Sequence, residues 1–230
     1  HFMDLIQALA AELGKDPRHV ENVVHLLDEG NTIPFIARYR KELHGAMDDT
    51  SLRTLEERLQ YLRGLEERRE AVKKSIDEQG KLTDELAAAI DSAKTLAEVE
   101  DLYRPYKQKR RTRATMAKEK GLEPLAALLF AQERDCPRPE EAARDFVDPE
   151  KGVETVEDAL QGASDIIAEQ ISDDAAIRKS LRALISRQGQ LVSRAATEDD
   201  SVYRLYYDFT QSVARLQGHQ VLAINRGEKA

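Results

Sequence analysis

Asp49–Gln79, "DTSLRTLEERLQYLRGLEERREAVKKSIDEQ", decides the fold class. Leu52, Leu55, Leu59 and Leu62 recur at helical spacing, and the stripe resumes at Leu65, Val72 and Ile76. Thirty-one helical residues would extend ~46 Å at 1.5 Å per residue. The seven-residue repeat slips after Leu62, where Glu66 and Arg69 stand in place of leucine. That slip argues against an extended coiled coil and for a spine helix whose neighbours change along its length. Gly80 stops it.

Working outward, the pattern stays helical. Ile6, Leu9 and Leu13 share a face, and Val20, Val23, Val24 and Leu27 share another behind an Asp16-Pro17 start. Thr95-Leu96-Ala97-Glu98 has the form of a capping box, and "GLEPLAALLF" (121–130) resumes helix. "RDCPRPEE" (134–141) reads as a linker. After it, Val156, Leu160, Ile167 and Ile171 form one face, and Ile177, Leu181, Leu184 and Ile185 the next. "GQLVSR" (189–194) suits a short extended piece, and "SVYRLYYDF" (201–209) fits strand or helix equally. The expectation is an all-α, multihelical chain with a spine near 49–79. Its regions are 3–134 and 135–230, with His1-Phe2 an expression remnant ahead of Met3. Two successive helices, near 156–171 and 174–188, meet at Asp173-Asp174.

Composition narrows function. The chain is 34% charged and 5% aromatic, without tryptophan, and has a net charge of -8. No stretch approaches ~18 apolar residues, so no membrane helix is expected. One cysteine, Cys136, supports neither an internal disulfide nor a zinc cluster. The histidines lack metal-ligand spacing, and there is no glycine-rich phosphate loop. The pairs Asp48-Asp49, Asp173-Asp174 and Asp199-Asp200 read as helix caps rather than general acids. No enzyme, cofactor or metal is expected.

Charge is concentrated in one place. From Arg104 to Lys120 there are eight basic residues and one acid, Glu119. That net of +7 leaves -15 on the rest of a chain whose total is -8. Arg104, Lys107, Lys109, Arg110, Arg111 and Arg113 are candidate phosphate contacts, since counterion release needs only a density of positive charge. An acidic surface of this or another domain would suit them as well. Tyr103 and Tyr106, just before the run, could stack on bases or bury their rings. In "TIPFIARYRKEL" (32–43), Arg38, Arg40 and Lys41 beside Phe35 and Tyr39 offer a second candidate. The spacing there favours packing, with Phe35 and Ile36 in the core and the cations bridging to the acidic spine.

Four stretches carry a family resemblance: "LLDEGNTIPFIARYRKELHGAMDD" (26–49), "LEERLQYLRGLEERREAVKKSIDEQGKLTDEL" (55–86), "VEDLYRPYKQKRRTRATMAKEKGLEPLA" (99–126) and "HQVLAINRGEKA" (219–230). Together they resemble the N-terminal region of the Tex-like family of bacterial transcription accessory proteins. The resemblance covers nearly the whole chain from Met3. It implies a cytoplasmic multidomain protein whose helical N-terminal part includes a helix-turn-helix-like element. An RNase H-like domain, helix-hairpin-helix motifs and a C-terminal OB-fold RNA-binding domain follow in the family, and this sequence stops before them. The resemblance implies a non-catalytic scaffold that acts in transcription and binds nucleic acid, RNA in preference to DNA, mostly through those later domains. The alternative is an interaction scaffold that docks later domains or RNA polymerase without touching nucleic acid. No family catalytic residue falls in this stretch.

Overall fold

The computed structural model describes residues 2–230; His1, half of the expected remnant, lies outside them. Thirteen α-helices and one two-stranded sheet are found among the described residues, a mostly-α multihelical fold. The chain divides into two compact units, one ending at Val99 and one running Glu100–Ala230.

The first unit contains α1 (Phe2–Leu13), α2 (Pro17–Asp28), α3 (Ile33–Tyr39), α4 (Lys41–His44), α5 (Asp49–Glu78) and α6 (Asp84–Ser92), and ends within α7 (Leu96–Tyr103). Each start is chemically marked. Asp16 accepts from Arg18 N–H at 2.9 Å, Thr32 from Phe35 N–H at 3.4 Å, Asp48 from Ser51 N–H at 2.7 Å and Thr83 from Leu86 N–H at 3.1 Å. Ile6, Leu9, Val20, Val23, Ile36, Leu52 and Leu55 are fully buried in one core.

The spine is α5, and its register slip has the expected consequence. Its first half, Leu52 to Leu59, closes the core over α1–α3. Its second half meets α6 and the turn beyond it. There Lys73 reaches Asp91 at 2.7 Å, and Arg69, also 3.1 Å from Glu66, donates to the Ala93 carbonyl. The polar residues that interrupt the leucine repeat thus hold a polar neighbour. At Thr95, the side chain accepts from Glu98 N–H at 3.2 Å, and the Glu98 carboxylate reaches back to accept from Lys94 N–H at 3.0 Å.

The second unit continues through α8 (Arg113–Glu119), α9 (Glu123–Ala131), α10 (Pro139–Arg144), α11 (Val156–Ser172) and α12 (Ala175–Gln188). Strands β1 (Gln190–Arg194) and β2 (Asp208–Ser212) then pair antiparallel, with Val192 opposite Thr210, and α13 (Gly218–Gly227) follows. "GQLVSR" is therefore strand, and "SVYRLYYDF" splits into a 3₁₀ turn (Arg204–Tyr206) and the start of β2. Asp199-Asp200 caps no α-helix: Asp200 pairs with Arg204 at 3.0 Å, and the Asp199 carbonyl accepts from the Tyr207 hydroxyl.

The second core is built from small residues on both sides of the proline-rich stretch: Ala114, Ala117, Ala126, Ala142, Ala143, Ala159 and Ala163, with Leu122 and Leu125. Gly162 shows how closely α11 is approached, since a Cβ there would stand 2.2 Å from Leu122 Cδ1. This close contact fixes α8 against α11, and with it the loop that feeds α8. By contrast, α12 buries none of its residues.

Candidate nucleic-acid interface

The basic run is neither a free tail nor a fully neutralised loop. After α7 the chain makes a 3₁₀ turn (Arg104–Tyr106), and Lys107 N–H donates to the Tyr103 carbonyl at 3.1 Å. It runs exposed to Thr112, where α8 begins in a true capping box: Thr112 accepts from Thr115 N–H at 3.1 Å, and the Thr115 hydroxyl accepts from Thr112 N–H at 2.8 Å.

Two carboxylates four residues apart at the C-terminal end of α11, Glu169 in its last turn and Asp173 just after it, brace this loop. Asp173 accepts from Arg104 Nε at 2.9 Å and also from Lys109 Nζ. Glu169 lies 3.6 Å from Lys109 Nζ and accepts from the Thr112 hydroxyl at 2.8 Å. Asp173 is only 13% exposed, so these contacts are largely shielded from water. Arg111 is held by Glu119 across the first turns of α8, at 3.0 Å. Lys107, Arg110 and Arg113 are exposed and have no carboxylate partner among the described residues. Arg104, Lys109, Thr112, Glu169 and Asp173 line a shallow pocket of about 460 Å³, with Lys107 on its border. Tyr103 and Tyr106 are half-buried beside it.

Of the six cations from Arg104 to Arg113, three are therefore paired and three project. Glu169 and Asp173 were missed as site residues, because they stand more than fifty positions from the loop. The only signal was their four-residue spacing, which puts both carboxylates on one helical face. Asp173, read as half of a capping pair, is the brace; Asp174 is the cap, accepting from Ile177 N–H at 2.8 Å.

The second candidate stands differently from the expectation. Ile36 is fully buried, but Phe35 is 37% and Tyr39 56% exposed. Arg38, Arg40 and Lys41 are exposed and bridge to no carboxylate among the described residues. The reason is register: Ile33 and Ile36 already fill the inward face of α3, which turns Phe35 outward. The helix breaks at Arg40 (φ -130, ψ 36), separating α3 from α4.

Elsewhere the chemistry is structural. Asp101, 7% exposed, accepts from Arg178 Nε at 2.9 Å and from Arg182 at 2.9 and 3.1 Å. Arg194 pairs with Asp208 at 2.7 Å. No cluster of metal-ligating side chains, and no helix long and apolar enough to cross a membrane, is found among the described residues.

Fold and loop together define a multihelical scaffold presenting a braced cationic loop, and comparison with known proteins places it in a family. Residues 3–77 match the Tex-like protein N-terminal domain, and residues 135–230 match the Tex central region. Protein tex of Bordetella pertussis is 45% identical over 228 residues, covering 98% of this chain and 29% of that protein. Transcriptional accessory protein Tex of Neisseria gonorrhoeae is 43% identical over 230 residues, covering 98% of this chain and 30% of that protein. The human S1 RNA-binding domain-containing protein 1 is 31% identical over 236 residues, 98% of this chain and 23% of that protein. The chain belongs to the Tex-like family. It spans about a third or less of the length of these relatives.

Proposed function

We propose that this region is a non-catalytic scaffold of a cytoplasmic transcription accessory protein, and that its braced loop contacts the phosphate backbone of RNA. One observation carries the reading. Lys107, Arg110 and Arg113 are held out, uncompensated, by a loop whose other cations are tied to carboxylates. These three form no ion pair among the described residues that could stabilise the fold. Stability is thus a weak reason for placing them here, and an external polyanion is the stronger one. The names of the relatives, a transcriptional accessory protein and an S1 RNA-binding domain protein, agree with this ligand class.

The test is binding of a short single-stranded RNA across a salt series, with Lys107, Arg110 and Arg113 changed to Glu. Binding should weaken with salt and be lost in the triple variant. No binding by the unmodified chain at low salt, or binding indifferent to the triple change, overturns the proposal. We do not assign the contact to α12 as a recognition helix, because its Arg178 and Arg182 are both engaged by Asp101.

A second reading concerns α12 itself. Ile177, Leu181, Leu184 and Ile185 are 38%, 49%, 43% and 54% exposed. An apolar stripe of this kind fits a protein surface, such as a later domain or RNA polymerase. If it docks within the full-length protein, backbone hydrogen exchange in α12 should be slower there than in this chain. Equal exchange rates would remove the intramolecular version.

A further inference from the structure

The three cations at the end of α3 are accompanied by something the basic loop lacks: an exposed pair of aromatic rings. Phe35 and Tyr39 lie one turn apart, with ring centroids 5.2 Å apart and planes inclined at 47°. The Arg40 guanidinium carbon is 5.7 Å from the Phe35 ring centre, and that of Arg38 is 5.9 Å from Tyr39. A broad, open depression of about 680 Å³ lies beside them, bordered by Phe35, Arg38, Tyr39, Lys41 and Asp49. Asp49, the acid on this rim, is engaged by Arg53 at 2.7 Å, leaving Arg38, Arg40 and Lys41 uncompensated.

We infer that this surface is a stacking platform for single-stranded nucleic acid. An unpaired base lies against Tyr39 and Phe35, while Arg38, Arg40 and Lys41 hold the flanking phosphates. The platform rests on the nucleic-acid reading above but uses none of its residues. Its parts argue for this ligand over the alternatives. An apolar protein helix would need an apolar groove, and this one is rimmed by cations. An acidic peptide would satisfy the charges but give the exposed rings nothing planar to cover. A duplex keeps its bases stacked inside and could engage only the cations. A single strand supplies flat rings and anions together, and stacking of this kind tolerates any base. The Arg38 and Arg40 guanidiniums lie 5.9 and 5.7 Å from the ring centres, close enough to reach the phosphates flanking a stacked base.

The test uses this chain with a short single-stranded RNA carrying 4-thiouridine, and the matching duplex as comparison. Photo-crosslinks should map to Phe35 or Tyr39. Tyr39→Ala should weaken single-strand binding roughly 5- to 150-fold, the range for one stacked base, with little change in salt dependence. Tyr39→Phe should bind as the unmodified chain does, because stacking needs the ring and not the hydroxyl. Tyr39 is exposed, so both variants should keep the native circular dichroism spectrum. If Tyr39→Ala binds normally while the Lys107/Arg110/Arg113 triple variant does not, the platform is refuted and the loop stands. If Tyr39→Ala fails and the triple variant binds normally, the loop reading falls and the platform stands. Polyglutamate displacing the RNA as effectively as unlabelled RNA does would also refute stacking.

Discussion

Asp173→Asn separates the two roles assigned to the basic loop. The side chain keeps its size but loses the charge that holds Arg104 at 2.9 Å and also binds Lys109. Counting the loop alone, as in a chain carrying Arg38→Ala, Arg40→Ala and Lys41→Ala, the three contacts of Lys107, Arg110 and Arg113 give a slope of about -2 in log affinity against log salt for a single strand. Between 50 and 200 mM salt that corresponds to a loss of roughly 18-fold. Freeing Arg104 adds a fourth contact, and freeing Lys109, still 3.6 Å from Glu169, adds part of a fifth. The slope should then steepen to between about -2.8 and -3.5, a loss of roughly 50- to 130-fold over the same range. Affinity at low salt should rise. Folding stability should fall, by about 1–2 kcal/mol, because the lost bonds were charge-assisted and only partly exposed. Fluorescence anisotropy with labelled RNA measures the slope, and thermal melting measures the stability. An Asn variant whose slope is unchanged or shallower refutes the reasoning. Loosening the loop could lower affinity by itself, but the slope counts ions released and is blind to that.

Three further outcomes follow from the packing. Asp101→Ala should destabilise the chain by about 2–3 kcal/mol in denaturant unfolding. Arg178→Ala/Arg182→Ala should cost more, about 3–5 kcal/mol, since it strands a carboxylate that is 7% exposed whereas the two arginines can hydrate. The reverse order would show that the acid is not the buried partner. His44 is 2% exposed and neither ring nitrogen has a hydrogen-bond partner among the described residues. His44→Leu should therefore be neutral or raise Tm by a few degrees, and a loss above ~2 kcal/mol would reveal a partner. Finally, the guanidinium hydrogen bonds of Arg58 to Glu12 and of Arg63 to Asp28 hold both carboxyls below their ordinary range. Depressed carboxyls stabilise the fold fully above about pH 4 and lose that contribution as pH falls through the lowered values. The stability deficit of Arg58→Ala/Arg63→Ala should thus shrink from pH 7 to about pH 3; a deficit constant with pH would assign it to lost packing.

What the sequence made legible was what local spacing controls. Leu52, Leu55 and Leu59 announce the spine, and the slip at Glu66 and Arg69 announces its change of neighbours, because both depend on helical period alone. Capping could be read where one side chain sits three residues before its donor, as at Asp48 and Asp174. The site was legible only in half. That cations gather near Lys107–Arg113 is a matter of counting. Which of them are braced depends on Asp173 and Glu169, brought to the loop by alanine-mediated packing of α8 on α11. Phe35 fails for a similar reason. Apolar residues at helical spacing normally mean core, but two isoleucines already occupied the inward face.

The half-and-half division of the loop has a physical logic. Six unpaired cations in ten residues would repel one another and leave the loop extended and without fixed geometry. Six paired ones would release no counterions and attract no polyanion. Tying Arg104, Lys109 and Arg111 to carboxylates fixes the path of the chain, so Lys107, Arg110 and Arg113 project from a defined surface. The net -15 of the rest of the chain then works as a filter, disfavouring a nucleic acid away from such unpaired cations. Three contacts are few beside the 6–10 phosphates engaged by proteins with a strong salt dependence. A loop of this size positions a strand more than it captures one. Joining it to a second contact therefore matters more than its own affinity, because a tethered second site acts at millimolar effective concentration. Removing one contact should then lower affinity by the product of that contact's own association constant and the effective concentration, leaving the other contact's binding in place.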